Sequence, residues 1–174
     1  PIAEGMKEER RLYDDCMESP QRAGLIHAFF SERAVTKIPE ASAEPRAIES
    51  IGVIGGGTMG SGIATAALLS GLPVTLTERN QDGLDRGTAT IAKNLEGAVK
   101  RGKLTAAGRD EILDSKLSTS TDLAALSDVD LVIEAAFEDM AVKREIFGTL
   151  DRVCKKGAVL ASNTSYLDIN GIAA

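Results

Sequence analysis

Residues 51–68 constrain this chain more than any other stretch. Ile51-Gly52-Val53-Ile54 runs straight into Gly55-Gly56-Gly57-Thr58-Met59-Gly60, and a helix-forming run of small apolar residues, Ile63-Ala64-Thr65-Ala66-Ala67-Leu68, follows at once. An apolar strand without alternation has to be covered on both faces, which is the condition of a parallel sheet flanked by helices. A Gly-x-Gly-x-x-Gly turn between strand and helix lets the chain bend tightly at Gly55, brings an anion near the backbone at Gly57, where a Cβ would collide with it, and lets the helix lie close to the strand at Gly60. The N–H groups at the helix start then face the anion. No Gly-Lys-Ser/Thr ends the loop, which excludes a P-loop nucleotide hydrolase.

The rest of the chain after residue 47 extends this pattern. Short β-branched runs alternate with helical stretches, predicting strands at 48–54, 73–78, 116–119, 131–135 and 158–162. Helices are expected at 59–70, 81–101, 105–114 and 140–154, with a short turn at 122–126. This is an α/β, Rossmann-type, doubly wound, mainly parallel sheet. The second strand ends at Glu78, eighteen residues past Gly60, where a carboxylate accepts hydrogen bonds from both ribose hydroxyls of an adenosine. It would repel a 2′-phosphate, so the expected cofactor is NAD, although the adjacent Arg79 offers a route to NADP if it is not simply a surface arginine.

Residues 1–46 read differently. Good helix formers fill Glu4 to Glu18, with Met6, Arg10, Tyr13 and Met17 on one stripe, and Ser19-Pro20 forms an N-cap and first-turn proline for a second helix to Arg33. Leu25, Ile26, Phe29 and Phe30 give that helix an apolar face too large for a short hairpin to cover. Thr36 to Arg46, with Pro39 and Pro45, reads as an extended linker. The expected division is a helical hairpin and linker over 1–46 and a dinucleotide-binding domain over 47–174, incomplete at its C-terminus. Pro1 in place of Met suggests a chain cut from something longer.

Composition removes several function classes. With 20 basic against 26 acidic side chains, net charge −6, and no basic cluster, binding to nucleic acid or anionic lipid is not expected. The longest apolar runs fall short of the ~20 residues that cross a bilayer. Cys16 and Cys154 lie far apart and there is one histidine, so no metal site is expected and both thiols read as reduced. His27, beside Ile26, Phe29 and Phe30, reads as a helix residue rather than a catalyst. Acid pairs such as Asp14-Asp15 and Glu138-Asp139 read as solvated charges.

Three blocks in order carry a resemblance: residues 53–64, Asp130-Leu131-Val132-Ile133-Glu134-Ala135, and Ala161-Ser162-Asn163-Thr164-Ser165. Residues 51–174 resemble the NAD-binding part of the L-3-hydroxyacyl-CoA dehydrogenases of fatty acid β-oxidation. Residues before 46, especially Ala28-Phe29-Phe30-Ser31-Glu32-Arg33, resemble the connection between the hydratase and dehydrogenase parts of the multifunctional enzymes. The resemblance implies cofactor contacts at Gly55, Gly56, Gly57, Thr58, Met59 and Gly60, at Glu78, and at Glu138 and Lys143, which otherwise read as a solvated first helical turn. It implies that Ser165 lies by the nicotinamide and assists catalysis by hydrogen-bonding the substrate oxygen, where the residues alone also allow an N-cap of a terminal helix. For the CoA of a 3-hydroxyacyl-CoA or 3-ketoacyl-CoA substrate it implies Asn94, in place of the family's usual serine, and Arg101 with Lys100, which otherwise form a solvated helix face.

The family's base is a histidine held by a glutamate, both beyond the Asn-Thr-Ser segment. The sequence ends at Ala174 before reaching them, so this fragment is expected to bind NAD without turnover. Two other readings stay open, a dehydrogenase of the 6-phosphogluconate or 3-hydroxyisobutyrate type and a non-catalytic NAD-binding module. A sheet edge beyond 158–162 and the Phe29–Phe30 face predict self-association. The expected compartment is a bacterial cytoplasm, with the peroxisome as the alternative.

Overall fold

Five parallel strands form the centre of the structure, a computed structural model that describes residues 1–38 and 42–173. They are β1 (Ile51–Ile54), β2 (Val74–Thr77), β3 (Leu117–Ser120), β4 (Leu131–Glu134) and β5 (Val159–Ser162), in the spatial order β3-β2-β1-β4-β5. Ile51 pairs with Val74 on one side and Leu131 on the other, while Leu117 pairs with Val74 and Val159 with Leu131. The order therefore reverses beside β1, which is the place where open α/β sheets bind ligands at the carboxyl ends of their strands.

Each strand is followed by helix, and the helices start where side chains replace missing backbone partners. Among them, α3 spans Thr58–Leu69, α4 Gln81–Lys100, α5 Ala106–Glu111, α6 Met140–Val153 and α7 Ile169–Ala173. Asn80 accepts the Gly83 N–H at the head of α4, Thr105 that of Gly108 at α5, and Asp139 that of Val142 at α6, the usual way of satisfying first-turn amides. Ile51 and Val53 pack with Leu68, Ile91 and Leu95 from α3 and α4, whereas Ile54 packs with Leu126, Val132 and Leu150 on the other face. All four β1 residues are buried, as a strand covered on both sides requires.

The chain divides into two units, Pro1–Arg46 and Ala47–Ala174. The first holds α1 (Ile2–Met17) and α2 (Pro20–Ala34), and neither helix has a buried residue. Ser19 caps α2 by accepting the Arg22 N–H, as its position before Pro20 predicts. Pro39, on which the linker reading partly rests, lies outside the described residues.

Two local expectations are corrected. Strand β1 begins at Ile51 rather than Ile48, because the Glu49 and Ser50 amides both donate to Asp130 Oδ2 at 2.9 Å and not to a neighbouring strand. The single helix expected over 105–114 is α5 followed by a wider π turn at Ile112–Lys116, which buries Ile112 against the first core.

Candidate functional site

The glycine loop is shaped by contacts that leave no room for a side chain at two of its three key positions. Gly55 has φ +99°, and a Cβ there would stand 2.6 Å from the Ala135 carbonyl oxygen; both facts demand glycine. At Gly60 a Cβ would lie 1.7 Å from the Gly55 carbonyl oxygen, so the absence of a side chain sets how closely α3 approaches the loop. Gly57 is different: a Cβ there would meet no atom within 4 Å. The space above it is open, and α3 begins there without a side-chain cap. First-turn N–H groups of a helix have no intrahelical acceptor, so this open, uncapped, positively polarised end fits a pyrophosphate. Thr58 and Met59 form the exposed first turn.

Glu78, one residue past β2, closes the other side of the loop. Its Oε1 accepts the Gly56 N–H at 2.8 Å and its Oε2 the Arg79 N–H at 3.0 Å. The carboxylate is thus fixed against the glycine loop, half-buried, where a ribose would lie beside a pyrophosphate seated on α3. Arg79 is exposed and bonds Glu78 through its backbone.

On the β4–β5 side the structure brings together Glu138, Lys143 and Ser165. Glu138 Oε1 accepts the Thr164 hydroxyl at 2.6 Å, the Ser165 N–H at 3.2 Å and the Tyr166 N–H at 3.4 Å. Those bonds, the Thr164 hydroxyl foremost, together with Lys143 hold its carboxyl down at about 2. Lys143 is not a solvated first-turn residue. It is fully buried, with Nζ 2.7 and 2.8 Å from the two oxygens of Glu134 and 3.3 Å from Glu138 Oε2. Nor does Ser165 cap the terminal helix, since α7 starts only at Ile169. It stands in the preceding loop, where Thr164 Oγ1 accepts the Leu167 N–H instead.

The CoA candidates separate. Asn94 and Arg101 line one open groove of about 380 Å³ between α3 and α4, with Gly62, Thr65, Leu69 and Lys93. Asn94 donates to Thr65 Oγ1 at 3.2 Å. Lys100 is not among the lining residues and lies 4.0 Å from Glu96.

Sequence reasoning missed two residues of this region. Lys93 adds a second cation to the groove one position before Asn94. Glu134 is fully buried at the end of β4; an acid closing an apolar strand needs a buried cation, and that was the available signal. His27 stays on exposed α2, 3.4 Å from Ser31 Oγ. Both cysteines are free, and burial pushes the Cys154 thiol up. Among the described residues no group of three His, Cys, Asp or Glu is placed to hold a metal, and no helix is long and apolar enough to cross a membrane.

A parallel sheet whose strand order reverses beside a glycine loop, with an uncapped helix start above it and an acid at the end of the second strand, defines a dinucleotide-binding domain of the Rossmann class. The family model described as "3-hydroxyacyl-CoA dehydrogenase, NAD binding domain" matches residues 50–174. The chain belongs to that family, which sets aside the 6-phosphogluconate and 3-hydroxyisobutyrate reading. It is 44% identical over 169 residues to a peroxisomal fatty acid beta-oxidation multifunctional protein of Oryza sativa subsp. japonica, covering 95% of this chain and 23% of that protein. Among solved structures it resembles the FadB2 protein of M. tuberculosis, with TM-score 0.70 and 49% identity over 74% of this chain and 45% of that one. The 3-hydroxybutyryl-CoA dehydrogenase of Escherichia coli gives TM-score 0.69 and 41% identity over 74% of this chain and 27% of that one. The sequence therefore spans about a quarter of the length of the curated relative.

Proposed function

We propose that this chain is the cofactor-binding part of a protein that interconverts L-3-hydroxyacyl-CoA and 3-ketoacyl-CoA in fatty acid β-oxidation. The observation that carries the reading is the Glu78 carboxylate held on the Gly56 N–H beside the open space at Gly57. In this arrangement the α3 N-terminus and the amides of Gly57, Thr58, Met59 and Gly60 hold the pyrophosphate, while Gly55 and Gly56, whose own amides are bonded to Thr77 O and Glu78 Oε1, shape the loop around it. Glu78 accepts the adenosine ribose hydroxyls and repels a 2′-phosphate, so NAD is preferred over NADP. NAD supplies the hydride acceptor. Glu138 and Lys143 organise the β4–β5 side, and Ser165 hydrogen-bonds the substrate oxygen without being the base. Asn94, Lys93 and Arg101 offer a polar, cationic lining to the phosphates of CoA, with Lys100 displaced toward Glu96. Proton removal from the hydroxyl needs a base titrating near neutrality, a role for which the family resemblance points to a histidine outside residues 1–174.

The curated relatives of plants and zebrafish are named peroxisomal or glyoxysomal, which supports the peroxisome as the compartment, while the bacterial cytoplasm is supported only by the bacterial source of the two solved structures. The hairpin is read as the link to a hydratase part, and its exposed phenylalanines as a surface through which the chain associates.

The test is a calorimetric titration of the full-length protein that carries this chain with NAD and NADP, alongside acetoacetyl-CoA reduction by NADH. NAD binding that is lost in Gly57→Val and in Glu78→Ala supports the reading. Equal affinity for NADP, or binding indifferent to both substitutions, overturns it.

A further inference from the structure

Beneath the loop after β5 lies a buried ion network centred on Glu134, which closes β4 and is fully buried. Its Oε1 accepts the Ala136 N–H at 2.7 Å and its Oε2 accepts the Ser162 hydroxyl at the end of β5. Both oxygens also receive the Lys143 ammonium, at 2.7 and 2.8 Å. A carboxylate so occupied has little capacity left for a ligand. A buried ion pair also contributes little net stability compared with apolar side chains of the same volume, because desolvating each ion costs several kcal/mol. The pair is better explained by what it holds in place.

What it holds is Glu138. Lys143 has three protons to donate; two are directed to Glu134 and the remaining neighbour is Glu138 Oε2 at 3.3 Å. The other oxygen of Glu138 gathers the Thr164 hydroxyl and the Ser165 and Tyr166 amides. A continuous chain of charged contacts thus runs from the end of β4 through α6 and the β4–α6 loop to the segment that carries Ser165. We infer that Glu134 is a positioning residue: it fixes Lys143, Lys143 fixes Glu138, and Glu138 fixes residues 164–166.

Resting on the cofactor reading above, this assigns the network to one half of the dinucleotide. The glycine loop and Glu78 lie at the ends of β1 and β2, and the Glu134 network lies at the ends of β4 and β5 on the far side of β1. ADP, which lacks both the nicotinamide and the ribose that carries it, should therefore be indifferent to Glu134, whereas NAD should feel it.

The experiment compares wild type with Glu134→Gln and Glu134→Asp in the full-length protein that carries this chain. Glu134→Asp keeps the charge but withdraws the carboxylate by one C–C bond, about 1.5 Å, so it cannot serve Lys143 and the Ala136 amide together. Calorimetry with NAD and with ADP is paired with amide exchange in the free protein. In either variant the Kd for NAD should rise about tenfold while that for ADP changes less than about twofold. The Ser165 and Tyr166 amides should exchange at least about tenfold faster, with the Gly55 amide, bonded to Thr77 O at 2.9 Å, unchanged.

Equal weakening of both ligands together with faster exchange throughout the sheet would make Glu134 a general stability residue and overturn the inference. So would unchanged exchange at 165 and 166. Should both Glu134 variants fail to fold, Ser162→Ala removes one contact to Glu134 and should give the same pattern at about threefold; a flat response there overturns the inference too. A wild type that binds neither ligand defeats the cofactor reading, while the exchange measurement still decides the role of Glu134.

Discussion

Gly24 and Gly60 both lie inside helices, yet a methyl group added to each has opposite consequences. At Gly24 a Cβ would meet nothing within 4 Å, and at Gly60 it would stand 1.7 Å from a backbone carbonyl oxygen. The difference separates the two units. In residues 1–46 the helices are held by local devices: the Ser19 cap, and Arg11 paired with Glu8 at 2.6 Å and Asp15 at 2.8 Å. Such exposed pairs are worth little. In residues 47–174 the shape comes from contacts between elements distant in sequence, and there even one atom is decisive.

The largest effect follows from that contrast. Gly60→Ala should cost more than about 4 kcal/mol, the range reserved for severe steric or buried-charge lesions, and should abolish NAD binding, because α3 cannot rest on the loop. Gly24→Ala should instead stabilise α2 by about 0.5–1 kcal/mol through helix propensity alone. Thermal unfolding followed by circular dichroism, with NAD titration of each variant, measures both. Equal and small effects would mean that the loop of 55–60 is far more compliant than its contacts indicate.

Core truncations sharpen the same comparison at a lower level. Leu150 is fully buried between α6 and the sheet, and Leu150→Ala should destabilise the sheet unit by about 2–5 kcal/mol. Phe30 is 61% exposed, and Phe30→Ala should leave the melting curve of the isolated state unchanged. If Phe30→Ala is as damaging as Leu150→Ala in the full-length protein, the apolar face of α2 is covered there by a partner surface.

These two regions were also unequally legible in the sequence. The glycine loop, Glu78, all five strands and the Ser19 cap are written in local patterns, a few residues that specify a turn, a period or a cap, and they lie where the patterns put them. What was not legible depends on residues far apart. The start of β1 is set by Asp130, eighty residues away, which takes the Glu49 and Ser50 amides. Lys143 looks like an ordinary first-turn lysine until α6 lies against the sheet, which sets its ammonium on Glu134, while the pairing of β4 with β5 brings the Ser162 hydroxyl to the same carboxylate. The same loop closure turns Ser165 from a candidate helix cap into a residue held by Glu138. The candidate site was therefore half-readable, the adenosine half from spacing and the β4–β5 half from resemblance only.

Acid should act on the two units differently. Asp130 is held well below the usual carboxylate range, first by the Lys155 ammonium and then by the Glu49 amide, with the Ser50 hydroxyl and amide adding to it. A carboxyl whose folded value is depressed stabilises the fold fully above its unfolded value, about 3.9 for Asp, and loses that contribution as pH falls through the folded value. Glu138, held at about 2 chiefly by the Thr164 hydroxyl, acts in the same direction. Stability of the sheet unit should thus fall steadily as pH drops below about 4. Asp130→Asn should lower the melting temperature at neutral pH and flatten this acid slope. The Glu8 carboxyl of α1, lowered mainly by Arg11, is exposed and should give residues 1–46 a shallower slope that salt erases. A slope unchanged in Asp130→Asn would mean that Asp130 carries none of the acid sensitivity.

The smallest effect tests whether α1 and α2 are governed by local terms alone. Ser19 Oγ accepts the Arg22 N–H at 3.2 Å and donates to the Cys16 carbonyl at 2.7 Å, so one hydroxyl closes the end of α1 and opens α2. Ser19→Ala should cost about 1 kcal/mol, seen as faster exchange of the Arg22 amide with the Val53 and Leu76 amides of the sheet unaffected. Because Gly24→Ala gains a similar amount by propensity, the double variant should return α2 to nearly its original helicity. Local terms add when sites share no partner, and neither side chain touches the other. A double variant that stays as frayed as Ser19→Ala would show that the turn at Ser19 fixes how the two helices meet, and that residues 1–46 hold tertiary structure beyond their caps and ion pairs.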